Sequence, residues 1–193
     1  MRDITEPIDD RGARPRLDAS SVYAEHAEFV WKSLFRLGVR DDDLEDMVQE
    51  VFMVVHRRLD SFDGSARMTT WLFGIAMRVA SSYHRRAHRR RERATDFDDE
   101  SLMTPPETPA EATPEHLAAE QQARGALDRI LGEMDMEKRA TFVLFEIEGL
   151  PCQEIAALTS VPVGTVYSRL HGARAIFERE VARLHAGVAR GAR

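Results

Sequence analysis

Between Leu150 and Arg174 the chain reads LPCQEIAALTSVPVGTVYSRLHGAR, and no other stretch restricts the fold so tightly. Ile155, Leu158, Val161, Val166 and Leu170 recur at the spacing by which two short helices bury apolar stripes against each other, with Ala156 small where they must approach. Thr159-Ser160-Val161-Pro162 interrupts that pattern, and Pro151 and Gly149 supply the start and stop chemistry of separate helices rather than one kinked helix. The second helix is left with an outer face of hydrogen-bonding and cationic side chains: Thr165, Tyr167, Ser168, Arg169, His171 and Arg174. Two helices crossed at such a turn form a helix-turn-helix, whose second helix enters a DNA major groove.

The rest of the chain is helical in period. From Ser20 or Ser21, the residues Tyr23, Ala27, Val30, Trp31, Leu34 and Leu37 keep a spacing near one helical turn, and Gly38 closes the segment. A second helix runs from about Asp42 to Leu59, with Leu44, Met47, Val48, Val51, Phe52 and Val55 on its apolar side; after the loop 60–65, a third starts near Met68 with Trp71, Leu72, Ile75, Ala76 and Val79 inward. Pro105, Pro106, Pro109 and Pro114 then sit among acidic and small residues that cannot bury enough apolar surface to offset chain ordering. Helical spacing resumes through Leu127, Ile130, Leu131 and Met134, then Phe142, Val143, Leu144 and Ile147. The pattern predicts an all-α protein: a disordered tail (1–18), a helical domain (19–93), a flexible acidic linker (94–115) and a second small helical domain (116–187) bearing the helix-turn-helix.

Charge is distributed unevenly. The formal net charge of −6 looks wrong for a nucleic-acid binder until it is divided along the sequence. Arg85, Arg86, Arg89, Arg90, Arg91 and Arg93 form a basic block interleaved with His84 and His88, and Asp96, Asp98, Asp99, Glu100, Glu107, Glu111 and Glu115 follow with no Lys or Arg between them. Local cationic surfaces beside an acidic segment that competes for them imply weak unaided DNA binding. The apolar stretches are too short to cross a bilayer and the polar start has no signal-peptide core, so a cytoplasmic protein without membrane insertion is expected. The single cysteine, Cys152, has no partner for an internal disulfide and reads as a small helix-start residue.

Four motifs in order resemble the extracytoplasmic-function (ECF) sigma factors of bacterial RNA polymerase. Asp43 to Phe52, DLEDMVQEVF, is similar to the family's D-x-E-D-L-V-Q-E-V-F helix, and Phe62 to Ala76, FDGSARMTTWLFGIA, to the loop and tryptophan-bearing helix after it. Glu154-Ile155-Ala156 matches EIA, and Val163 to Leu170 matches V-G-T-V-x-S-R-L. The resemblance spans about residues 20–185 and implies a factor that binds core RNA polymerase at its clamp and flap regions, recognises promoter DNA and helps open it, with no catalytic group, cofactor or metal. It implies polymerase docking through Asp46, Gln49, Glu50 and Phe52. Ser65, Arg67, Trp71 and Arg78, continued by Arg85 and Arg86, are implied to handle and melt the start-proximal element, where stacking and a cationic track offset unstacking. Trp71 reads either as packing or as a partly exposed wedge. Thr165, Tyr167, Ser168, Arg169, His171 and Arg174 are implied to read the upstream element. An anti-sigma protein that covers or separates the domains is a further implied partner. The acidic linker is a tether, a segment threading polymerase channels, or both.

The sequence departs from the family in three places. Many relatives carry Lys or Arg where Tyr167 stands and Arg where Gly172 stands, and Ser160 occupies a turn position where glycine is frequent. The loss of two cations removes phosphate or guanine contacts, with bidentate arginine to guanine worth about 1–3 kcal/mol of discrimination. Two other functions compete. A stand-alone helix-turn-helix regulator would bind duplex DNA tightly without polymerase, and would usually carry a dimerisation helix or ligand pocket. An enzyme is the weakest reading: His84 and His88 have the spacing of a metal pair but lie inside an arginine block, and no phosphate loop, nucleophile elbow or carboxylate pair is present.

Overall fold

The structure, a computed structural model, describes the backbone of residues 18–91 and 114–191 and the side chains of 18–89 and 122–186. The described residues form α1 (Ala19–Arg36), α2 (Asp41–Arg58), a 3₁₀ turn (Leu59–Ser61), α3 (Met68–Arg91), α4 (Pro114–Gly132), α5 (Met136–Phe142) running into a π-helical turn (Val143–Ile147), α6 (Cys152–Thr159) and α7 (Val163–Gly191). Among them there is no strand. The tail, the linker core and the side chains of Arg90, Arg91 and Arg93 lie outside the described residues.

Local chemistry sets the helix ends. Asp18, counted with the tail by sequence, caps α1 by accepting from the Ser21 amide at 3.3 Å. Asp135 caps α5 in the same way, its Oδ1 accepting from the Lys138 amide at 2.8 Å. At the other end of α1, Gly38 has φ +84°, and the amides of Gly38 and Val39 donate to the carbonyls of Phe35 and Leu34 at 2.8 and 3.1 Å, satisfying carbonyls the helix leaves open. Ser160 closes α6 with the same pair of bonds, to Ala157 and Ala156, at φ +56°. Among the described residues it is the one non-glycine at positive φ, which confirms that the departure at the turn is a serine held in a conformation glycine adopts freely.

Two groups of helices result. In the first, Val30, Leu34 and Leu37 of α1 and its end, Val51 and Val55 of α2, and Leu72 and Ala76 of α3 are wholly buried. Tyr83 ties α3 to the start of α2 by donating to Asp43 at 2.7 Å. Tyr23 does not join this core: it is 50% exposed, its ring set edge-on to Phe52, and Val22 takes the inward position instead. A phenol at the rim keeps its hydroxyl in water while its ring packs, whereas Val22 has no polar atom to strand. In the second group, Leu131, Val143, Leu144, Ile155, Val166 and Ala173 are buried, and Phe142 stacks on Phe177 of α7 at 5.3 Å.

The groups share one continuous hydrophobic core. Leu158 of α6 reaches α3, and only the absence of a side chain at Gly74 admits it: a Cβ there would lie 2.6 Å from Leu158 Cδ1. Gly38 likewise leaves room for the guanidinium of Arg139, which donates to the carbonyls of Gly132 and Met134 at 3.0 and 3.3 Å. Arg36 reaches Glu148 at 3.4 Å. Burial pushes the Asp128 carboxyl above its usual value in the cleft between α1 and α4, with the Arg36 charge opposing that rise and Asp41 adding to it.

Two backbone substitutions should shift stability in opposite directions. Ser160→Gly removes a left-handed penalty and should stabilise the protein by about 0.5–1 kcal/mol. Gly38→Ala adds that penalty and displaces Arg139, and should cost about 1–3 kcal/mol. Urea denaturation of both variants against wild type checks the signs; equal midpoints would contradict the stated cause.

Candidate nucleic-acid interface

The C-terminal surface is built by what α7 buries. Val166, Leu170 and Ala173 are 0%, 4% and 0% exposed and pin one stripe of the helix to the second group. With 3.6 residues per turn, the opposite side must then face outward. Ser168 and His171 lie at the centre of that outer side. Tyr167 (54% exposed) and Arg174 form one flank, and Thr165, Arg169 and Gly172, spaced at i, i+4 and i+7, form the other. The structure therefore brings together all six residues singled out in sequence, with Thr165 and Arg169 half-buried and the other four exposed.

Several of these side chains are already oriented. Arg174 donates to Glu146 at 2.7 Å and lies 5.2 Å from the centre of the Phe145 ring, so the π-helical turn holds it against the helix flank. Ser168 returns its hydroxyl to the Gly164 carbonyl at 3.0 Å. Arg169 is close enough to Asp135 for its charge to matter there. Burial pushes the Asp135 carboxyl up, but hydrogen bonds from Lys138 and the charges of Lys138 and Arg169 together bring it below its usual value. Lys138 lies on α5, where no spacing in the sequence marks it, and only the three-dimensional packing sets it beside α7.

The start-proximal candidates are more dispersed. Gly64, at φ +72°, and a bond from the Ser65 amide to Asp63 Oδ1 at 2.9 Å shape a tight turn that presents Ser65 to solvent. Arg67 is exposed and donates to the Glu148 carbonyl at 3.5 Å, across the junction of the two helical groups. Trp71 is half-buried with its ring 5.3 Å from that of Phe62, so packing and partial exposure both hold. Arg78 and Arg85 are exposed on α3. Arg86 is bound to Glu50 of α2 at 3.0 Å, with Met47 Sδ at 3.7 Å, so a candidate DNA contact pairs with a candidate polymerase contact.

On α2, Asp46 and Gln49 are exposed while Glu50 and Phe52 are half-buried. Phe52 forms, with Tyr23, Gln49, Met53, His56 and Arg57, a shallow open patch in which Met53 is 58% exposed. His84 serves the fold: its Nε2 bonds the Leu37 carbonyl at 2.9 Å, and burial, with the nearby Arg139 charge, lowers its pKa despite that bond. Cys152 is buried at the first position of α6. Among the described residues no helix is long and apolar enough to cross a membrane.

Known proteins share this arrangement. Residues 22–90 match the family described as Sigma-70 region 2, and residues 124–176 match Sigma-70, region 4. The ECF RNA polymerase sigma-E factor of Escherichia coli (strain K12) is 34% identical over 152 residues, covering 77% of this chain and 79% of that protein. The ECF RNA polymerase sigma factor SigE of Mycolicibacterium smegmatis is 31% identical over 171 residues, covering 89% of this chain and 63% of the relative. Among solved structures, the sigma factor RpoE of Bartonella quintana, in complex with the anti-sigma factor NepR, superposes with a TM-score of 0.67 at 20% identity, covering 84% of this chain and 96% of that one. CnrH, in complex with the cytosolic domain of CnrY, gives 0.55 at 25% identity, covering 87% and 88%. With its α2 and α3 in the region 2 match, its helix-turn-helix in the region 4 match, and a relative one-third identical over most of both chains, this chain belongs to the ECF sigma factors, which direct RNA polymerase to promoters for transcription initiation.

Proposed function

We propose that the outer face of α7 reads the upstream promoter element in the major groove, and that Ser65, Arg67, Trp71, Arg78, Arg85 and Arg86 handle the start-proximal element while its strands part. Asp46, Gln49, Glu50 and Phe52 dock on the polymerase clamp. The protein acts without catalysis, in the cytoplasm, as two helical modules (19–93 and 116–187) tethered by the acidic segment. An anti-sigma protein is its inhibitory partner, a reading supported by a structural neighbour that was solved with the anti-sigma factor NepR bound.

The observation that carries this reading is the surface of α7: three buried anchors fix the helix, while Tyr167, Ser168, His171 and Arg174 stay exposed although the two helical groups pack together. A groove-reading helix needs both properties, since a loose helix loses register and a covered one cannot reach bases. Acidic and amide groups beside a half-buried aromatic on α2 suit a basic partner surface better than bare solvent. On this reading, docking on polymerase exchanges the Arg36–Glu148 and Leu158–Gly74 contacts for polymerase contacts, which frees Arg67 and sets the two DNA surfaces apart.

In run-off transcription with core polymerase and a library of upstream sequences, Arg169→Ala should lower promoter-dependent output by roughly tenfold, in line with the loss of one bidentate contact worth about 1–3 kcal/mol. Its association with core polymerase should stay at the wild-type level. Equal loss of both activities would remove Arg169 from the groove.

Asp46→Ala combined with Gln49→Ala should do the reverse. Core-polymerase affinity falls first, and the complexes that still form select the same upstream sequences. Unchanged affinity in a co-purification titration would exclude α2 as the docking helix.

A further inference from the structure

Gly172 leaves a gap on the flank of α7 that a side chain from another helix fills. A Cβ at this position would lie 3.0 Å from Cε and 3.4 Å from Cδ of Lys138, so the lysine's aliphatic stem crosses α7 at the glycine. Its ammonium is paired with Asp135, whose carboxyl also feels the charge of Arg169, one turn before Gly172 on the same flank. The cation on this flank therefore comes from α5 rather than from α7 itself at that position.

We propose that Lys138 is a DNA-backbone contact of this protein, carried to the edge of the groove helix across Gly172, and that Asp135 is the counter-ion a DNA phosphate displaces. The inference rests on the reading of α7 as the groove helix and adds to it a residue from outside the helix-turn-helix. The chemistry is that of a point charge on a flexible stem. Lysine meets a phosphate oxygen without the fixed fork that guanine recognition demands, so it strengthens binding evenly across sequences. Asp135 has two functions in this arrangement. Its Oδ1 caps α5 through the Lys138 amide, and its other oxygen holds the Lys138 ammonium ready while lowering the positive field that a phosphate would meet.

The test uses holoenzyme reconstituted from core polymerase and the full chain, bound to a promoter fragment selected from a randomised upstream library and titrated across salt concentrations. Lys138→Ala should weaken binding by several-fold on matched and mismatched fragments alike, and should reduce the slope of log affinity against log salt by about 1. Asp135→Asn keeps a capping side chain and removes the competing charge, so it should tighten binding. Gly172→Arg in the Lys138→Ala background should restore the salt slope, which repair of mere packing would not do. Unchanged slope in Lys138→Ala, with Arg169→Ala still weakening binding, would overturn the role of Lys138 and leave the groove reading standing. Arg169→Ala and Lys138→Ala both without effect would overturn the groove reading itself. Equal or weaker binding by Asp135→Asn would reject the displaced counter-ion.

Discussion

The burial of a single stripe of α7 is the constraint on which the rest depends. Val166, Leu170 and Ala173 have almost no exposed surface, and each of the two larger ones contributes about 1.5–3 kcal/mol when fully withdrawn from water. A helix fixed along one edge has no freedom to rotate. Tyr167, Ser168, His171 and Arg174 must therefore project outward, and Arg169 and Gly172 must border the α5 flank. The polar face is open to a partner because the apolar one has been fixed first.

The contacts that join the two helical groups are of a different kind. They are few and partly polar, and glycines make room for them: Leu158 over Gly74, Arg139 against Gly38, Arg36 with Glu148. Arg139 carries a cost, since its Nε is buried without a partner among the described residues and an unmet buried donor costs about 1–3 kcal/mol. An apolar side chain of similar reach would avoid that cost. On the proposed function, the contacts at this junction are the ones exchanged when the two helical groups take up separate promoter elements.

Much of this was legible in the sequence, and the reason is periodicity. The apolar spacing of α2, α3, α6 and α7 gives both the helices and their inward faces, and Val166 and Leu170 are anchors in the sequence and in the structure alike. Spacing alone does not separate Tyr23 at the rim from Val22 in the core one position away; the phenol's need for water does. Leu158 fits the helix-turn-helix pattern and also reaches Gly74 of α3, a contact the pattern cannot register because that neighbour lies 84 residues earlier in the chain. Lys138 was invisible for the same reason. Ser160, in contrast, stands out in the sequence as an unusual turn residue, and its positive φ shows why the position favours glycine.

The central claim is that the outward face of α7 meets promoter DNA when polymerase is present. A photo-crosslinking amino acid in place of Tyr167, in holoenzyme bound to an end-labelled promoter fragment, tests it most directly. The account predicts a crosslink confined to a short upstream stretch of DNA, and little or none when the protein is mixed with the same fragment alone. A crosslink to a polymerase subunit instead of DNA, or an equally strong DNA crosslink without polymerase, would contradict it.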